Sequence, residues 1–341
     1  MTTTTSASPT AQDSATPNRP PYLVRHPEFF TLGLIVILFV VVAVINPMFF
    51  QPGSLFDVLR AATRSAIFAL GILVVLASGG LDVSFTAIAA LVMYGLTKIV
   101  LLFFPEAPFV LILLAGAAGG LLLGLMNGWL VKKLAAPSLV VTIGTQFLIR
   151  GFLLAFIGTE FFMNIPPSML AVGQANIVSF QNNQGLQTAL PYTTLAIPIL
   201  ALITWWLLNK TMMGRAVYAM GGSPAIAERL GYNLTRVYLF VFGYAGLLAG
   251  IAGIIHVSST RIANPFDIVG TELDVIAAVI LGGARITGGS GTVTGTLLGV
   301  LLVTLINSVL ITLGIPTTWQ KVIVGAFILV AGLLFSLRSK R

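Results

Sequence analysis

The sequence predicts an all-α polytopic membrane protein of about ten transmembrane helices, arranged as a five-plus-five inverted repeat. Three observations lead there. Of the 341 residues, 57% are hydrophobic and 8% charged, where a soluble domain carries about 25% charged residues. The apolar residues come in runs long enough to cross a ~30 Å hydrocarbon core at 1.5 Å per residue. The basic residues fall between those runs or at their ends, so the formal net charge of +8 reads as the positive-inside bias of a protein embedded in a lipid bilayer. That placement excludes a nucleic-acid partner. The chain has no cysteine and only His26 and His256, which excludes disulfides, thiolate sites and a histidine metal cluster; no cofactor is expected.

Residues 1–28 are rich in Thr, Ser, Ala and Pro and too polar to bury anything, so they read as a disordered cytoplasmic tail. They do not read as a cleavable signal, because Arg19, Arg25 and His26 directly precede a long apolar run instead of a short one with a cleavage site. Residues 29–338 read as one transmembrane domain. Its spans are expected at about 29–50, 60–78, 83–104, 108–131, 138–158, 190–208, 236–257, 271–287, 291–312 and 316–336. With the N-terminus inside, Lys132, Lys133, Lys210, Arg215, Arg229, Arg236 and Arg285 fall on the cytoplasmic side, as do the basic residues of both termini. Segment 159–189 becomes the main outer loop, too long for a mere connector.

A faint internal repeat supports the inverted arrangement. Asn127 is followed by an apolar segment and Pro137, and Asn307 by a similar segment and Pro316. Lys132 and Lys133 of the first copy stand where the second has Thr312 and Leu313, as expected if the two connections face opposite sides. Chance similarity between two apolar hairpins explains the same match.

Four polar features interrupt the apolar text. The string 78–86 places Asp82, Ser84 and Thr86 just after Gly79 and Gly80. Two glycines permit a sharp turn or an unwound helix, and an intramembrane carboxylate there either serves a solute pathway or merely caps the next helix. A second glycine-rich break, 281–292, lacks the Gly-Lys-Ser/Thr ending of a phosphate loop and reads as a tight hairpin or close helix packing. Glu272 and Asp274 read as boundary or capping carboxylates at the outer start of the eighth span. Gly243, Gly246, Gly250 and Gly253 read as helix contacts.

The fourth feature is the long basic loop 209–236. Within it Ser223 is a good N-cap, Pro224 suits the first helical position and Gly231 can close the far end, so 224–230 should form a short capped helix. Such a helix on an inner surface is either an ordinary solvated connector or a handle for a partner.

Together, the Gly-Gly-Leu-Asp-Val-Ser string at 79–84, the Gly214, Arg215, Tyr218, Ala219, Gly221 and Gly222 pattern, and Glu272 through Leu281, Gly282 and Gly283 resemble the permease subunits of bacterial ABC sugar importers of the ribose and autoinducer-2 type. The resemblance covers nearly all of the chain after residue 30. It departs at Phe85 and Thr86, where the family often carries Gly. The resemblance implies a non-enzymatic subunit that pairs with a second permease copy or paralogue in the bacterial inner membrane, both termini cytoplasmic. It further implies an ABC ATPase docked on the inner loop and a periplasmic sugar-binding protein outside. On that reading Gly79, Gly80, Asp82, Ser84 and Asn127 belong to the solute pathway or its gate. Gly214, Arg215, Gly221, Gly222, Pro224, Ile226, Glu228, Arg229 and Gly231 belong to the ATPase-docking element. Gln146, Phe85 and Phe147 are further residues suited either to sugar contact or to packing. An ion-coupled secondary transporter is the other reading, with Asp82 as its buried carboxylate. A membrane enzyme would need clustered titratable groups that the spans lack.

Overall fold

Runs of about 20 apolar residues can satisfy their backbone polar groups in a bilayer only as helices, and the chain folds accordingly. The computed structural model describes residues 27–45, 52–181, 187–316, 318–326 and 329. The tail expected over 1–28 lies almost wholly outside these, as do Arg338, Lys340 and Arg341. The helices are α1 (Pro27–Ile45), α2 (Pro52–Ala77), α3 (Phe85–Phe103), α4 (Phe109–Leu134), α5 (Ser138–Phe152) and α6 (Pro167–Gln174). There follow α7 (Ala196–Lys210), α8 (Met212–Gly222), α9 (Pro224–Arg229), α10 (Leu234–Thr260), α11 (Glu272–Leu281) and α12 (Val293–Thr312). Between α6 and α7 the expected outer loop carries an antiparallel hairpin, β1 (Asn176–Gln181) with β2 (Gln187–Pro191).

Among the described residues seven helices are long and apolar enough to cross a membrane, so the expected ten are not all present at full length. The clearest departure is the eighth span. Expected over 271–287, it is a helix only over Glu272–Leu281, ~15 Å at 1.5 Å per residue. Gly283, Gly288 and Gly289 follow it at φ +95°, +89° and +75°, backbone that L side chains rarely adopt, and end the helix beside the Gly79 turn, so its Glu272 start lies halfway through the bundle. At the tenth, residues 318–326 are helical and 330–336 lie outside the described residues. The first is helical over Pro27–Ile45, with a shorter apolar stretch at its centre.

In lipid, helices associate by close packing and not by hydrophobic expulsion, which favours small residues at the seams. The central helix α10 shows this directly. Gly116, Gly120 and Gly124 of α4 lie against Gly250, Gly246 and Phe242 of α10, backbone on backbone, and a Cβ at Gly120 would fall on the Gly246 carbonyl. Gly253 faces Ala89 of α3 and Gly243 faces Leu125, so all four α10 glycines are helix contacts. A second apolar cluster joins α1 to α12 through Ile35, Val42, Leu302 and Ile306.

The ends of the bundle differ. Gly80 lies beside Ser138, and Gly79 beside Gly221 and Thr287. The connections after α2, α4 and α7 and before α12 therefore share one end. That end carries Lys132, Lys133, Lys210, Arg215, Arg229, Arg236 and Arg285 and is called the basic end below. Since α12 starts there, its Thr312 terminus lies at the opposite end from the Lys132 connection.

Candidate functional site

The break after α2 begins where Ser78 Oγ donates to the Val75 carbonyl (2.6 Å) and Gly79 turns at φ +80°. Residues 80–83 are not helical. Their backbone is satisfied instead by hydroxyls of α5: Leu81 N–H donates to Ser138 Oγ (2.8 Å) and Val83 N–H to Thr142 Oγ1 (3.4 Å). Non-helical backbone at membrane depth needs such partners. Asp82 Oδ1 then accepts from both the N–H (2.7 Å) and the hydroxyl (2.6 Å) of Ser84, the N-cap residue of α3. Asn127 Nδ2 of α4 donates to the same Ser84 oxygen (2.7 Å). Asp82, Ser84 and Asn127 are 1%, 0% and 0% exposed, so they form a closed chain tying the start of α3 to α4 and do not line an open passage.

The loop between α7 and α10 contains the expected capped helix. Ser223 Oγ accepts from Ile226 N–H (3.4 Å), Pro224 opens α9 and Gly231 closes it at φ +86°. It also contains α8, capped by Thr211, whose Oγ1 accepts from Gly214 N–H (3.1 Å). The nine candidate docking residues separate into two sets. Gly214 is buried against the Leu207 and Leu208 carbonyls, and Gly221 is pressed onto the Ala77 carbonyl and Gly289, so both glycines hold the element to the bundle. Arg215, Gly222, Pro224, Ile226, Glu228, Arg229 and Gly231 are exposed, and Leu230 beside them is 67% exposed. Tyr218 reaches inward, its hydroxyl donating to the Gly291 carbonyl (2.8 Å); burial raises its pKa, which keeps it a donor.

Three glycine-rich segments thus meet at the basic end. Gly289 N–H donates to the Ala77 carbonyl (3.0 Å), and a Cβ at Gly288 would lie 2.7 Å from Gly221 O and Gly79 Cα. The loop helices touch the Asp82 segment through backbone alone, without an intervening flexible side chain.

Of the two roles expected for Glu272, boundary and capping, the first does not hold: at 7% exposure it opens the half-length α11 inside the bundle. It accepts from Thr86 Oγ1 and from Gln146 Nε2 (2.8 Å), and both its oxygens lie 3.0 Å from Gly270 N. Gln146 stands about 12 Å along α5 from its start. Phe85 is buried in the core, edge-on to Phe68 with ring centroids 5.0 Å apart, whereas Phe147 is 67% exposed. Sequence reasoning also passed over Arg64, an ionisable residue in the middle of α2. The signal was present, because a charge inside an apolar run is expensive and marks function.

Residues 54–332 match the family described as the permease component of branched-chain amino acid transport systems. The chain belongs to this family. It is 31% identical to the ribose import permease protein of Haemophilus influenzae, over 91% of this chain and 92% of the relative. It is 33% identical to the ribose import permease protein of Bacillus subtilis, over 89% and 90%, and 30% identical to the autoinducer 2 import system permease protein of Klebsiella pneumoniae, over 90% and 86%. No solved structure matches. The chain is a multi-pass permease of the inner membrane and a component of an ABC importer, a transport subunit and not an enzyme.

Proposed function

We propose that the chain passes a sugar or sugar-like solute across the bacterial inner membrane as one of two permease subunits. ATP is hydrolysed by a separate cytoplasmic ABC ATPase seated on α8 and α9, and a periplasmic sugar-binding protein delivers the solute from the opposite face. The observation carrying this is the junction at the basic end, where an exposed helix bearing Ile226, with Leu230 at its C-terminal end, is joined through Gly221 to the Gly79 turn and the Gly288 turn. A displacement of α9 by a motor is transmitted to the Asp82–Ser84–Asn127 chain, which acts as a latch on the pathway. On this reading the basic end and both termini are cytoplasmic.

A second permease, identical or paralogous, is supported by Asp274. This carboxylate is exposed on α11, two residues from Glu272, at a depth where hydrocarbon would penalise it heavily. That face is therefore covered by protein or water.

The relatives' names favour sugars over the amino acids in the family's description. Uptake into cells expressing the whole importer tests the reading. Ribose or galactose should accumulate in a manner that needs the ATPase and survives a protonophore. Uptake that collapses with the protonophore and persists without the ATPase identifies an ion-coupled transporter instead.

A further inference from the structure

The latch residues are closed to solvent, yet a cavity with both polar and apolar walls opens elsewhere, between α2, α11 and α12. It has a volume of about 190 Å³ and its walls include Arg64, Ser65, Thr271, Asp274, Thr304 and Asn307. Arg64 lies roughly 20 Å from the Ala77 end of α2, and Asn307 roughly 20 Å from the start of α12 at the same end. Both therefore stand at mid-membrane depth.

Arg64 is partly buried and has only part of the compensation such a cation requires. Among the described residues no carboxylate lies within 4 Å of it. Its guanidinium donates to His256 Nδ1 (3.4 Å), and His256 Nε2–H donates to Asp267 Oδ2 (2.8 Å). This relay holds the imidazole in one tautomer and uses one of the five guanidinium donors. A guanidinium kept at such depth, paired only through a histidine, is expected to serve a ligand.

On the sugar-importer reading above, we infer that the translocated solute rests in this cavity, where Arg64, Asp274 and Asn307 hydrogen-bond the hydroxyls of a neutral, monosaccharide-sized polyol. Size and chemistry both point there. The volume is below the ~300–1,000 Å³ of pockets for drug-sized ligands, which excludes an oligosaccharide. Opposite charges on α2 and α11 leave no net preference for an ion. A zwitterionic amino acid would use those two charges but leave the hydroxyls of Ser65, Thr271 and Thr304 and the Asn307 amide without partners, whereas a polyol's hydroxyls meet them and its C–H groups meet Val275, Val300, Val303 and Ile311.

The absence of cysteine from the chain makes the test direct. The complete importer, with its ATPase and binding protein in proteoliposomes, carries Thr304→Cys and is labelled during turnover with a small methanethiosulfonate reagent in the presence of D-ribose, D-galactose or L-leucine. The transported sugar should slow labelling and leucine should not. In a second arm, Asn307→Ala should lower sugar uptake about ten-fold, the effect of one hydrogen bond, while ATP hydrolysis stimulated by the loaded binding protein persists. Sugar uptake by the unaltered complex, with Thr304→Cys unprotected and Asn307→Ala fully active, overturns this inference alone. Import of leucine in place of both sugars overturns the sugar reading with it.

Discussion

Asp82 and Glu272 are both buried carboxylates, but their partners give them different sensitivities. Both Asp82 bonds enter one oxygen from Ser84, an arrangement that an amide carbonyl can reproduce. Asp82→Asn should therefore leave the complex assembled while transport falls, since the charge and not the fold is lost. Asp82→Ala removes the acceptor and should cost about 1–3 kcal/mol in addition. Comparing assembled complex with transport rate for the two variants checks this; equal losses of both in the Asn variant would reduce Asp82 to a structural role. Glu272 uses both oxygens, with Gly270 N–H facing the pair. In Glu272→Gln the amide group meets a donor on one side, so stability should fall by about 1–3 kcal/mol, read as a lower unfolding temperature in detergent. An unchanged midpoint would show that Glu272 is not held by these bonds.

At the scale of elements, local punctuation was legible and tertiary override was not. The helix α9 follows from Ser223, Pro224 and Gly231 because capping depends on residues a turn apart. The preceding α8 escaped notice because Gly214, Gly221 and Gly222 disfavour a helix locally; burial of the first two against Leu208 and Ala77 overrides that preference. Arg64 escaped for a related reason. The expected span begins at 60, which puts Arg64 near its edge, but α2 extends back through the polar stretch to Pro52 and leaves Arg64 in the middle of the helix. The exposure of Ile226, 57%, makes it a clean probe of docking. Ile226→Asp should leave the permease inserted yet weaken the ATPase by roughly thirty-fold, the effect of losing a ~2 kcal/mol anchor. Co-purification of the ATPase at the wild-type ratio would place the docking surface elsewhere. The α4–α10 seam allows a similar test of packing: Gly120→Ala puts a methyl group onto the Gly246 carbonyl and should cost about 1–3 kcal/mol as overpacking, measured as a drop in thermal midpoint.

For the molecule as a whole, the spans were legible because a bilayer permits so few solutions for an apolar run. The half-length α11 was not, because its boundary is set by contacts with Thr86 and Gln146, which lie far away in sequence. What remains is which end faces the cytoplasm. The Lys132 connection adjoins Ser138 and the glycine junction, while the segment after α12 lies a full helix length away, so the two turns of the candidate repeat occupy opposite ends of the bundle. Seven basic residues gathered at the first end predict that it is cytoplasmic. Single cysteines at Lys133 and at Leu313, 46% exposed, report on the two ends in a chain that has no other thiol. In intact cells a membrane-impermeant maleimide should label Leu313→Cys alone, and Lys133→Cys should react only after permeabilisation. Labelling of both from outside would refute the separation of the two turns, and labelling of Lys133→Cys alone would invert the protein and remove the cytoplasmic face on which α9 is proposed to meet its ATPase.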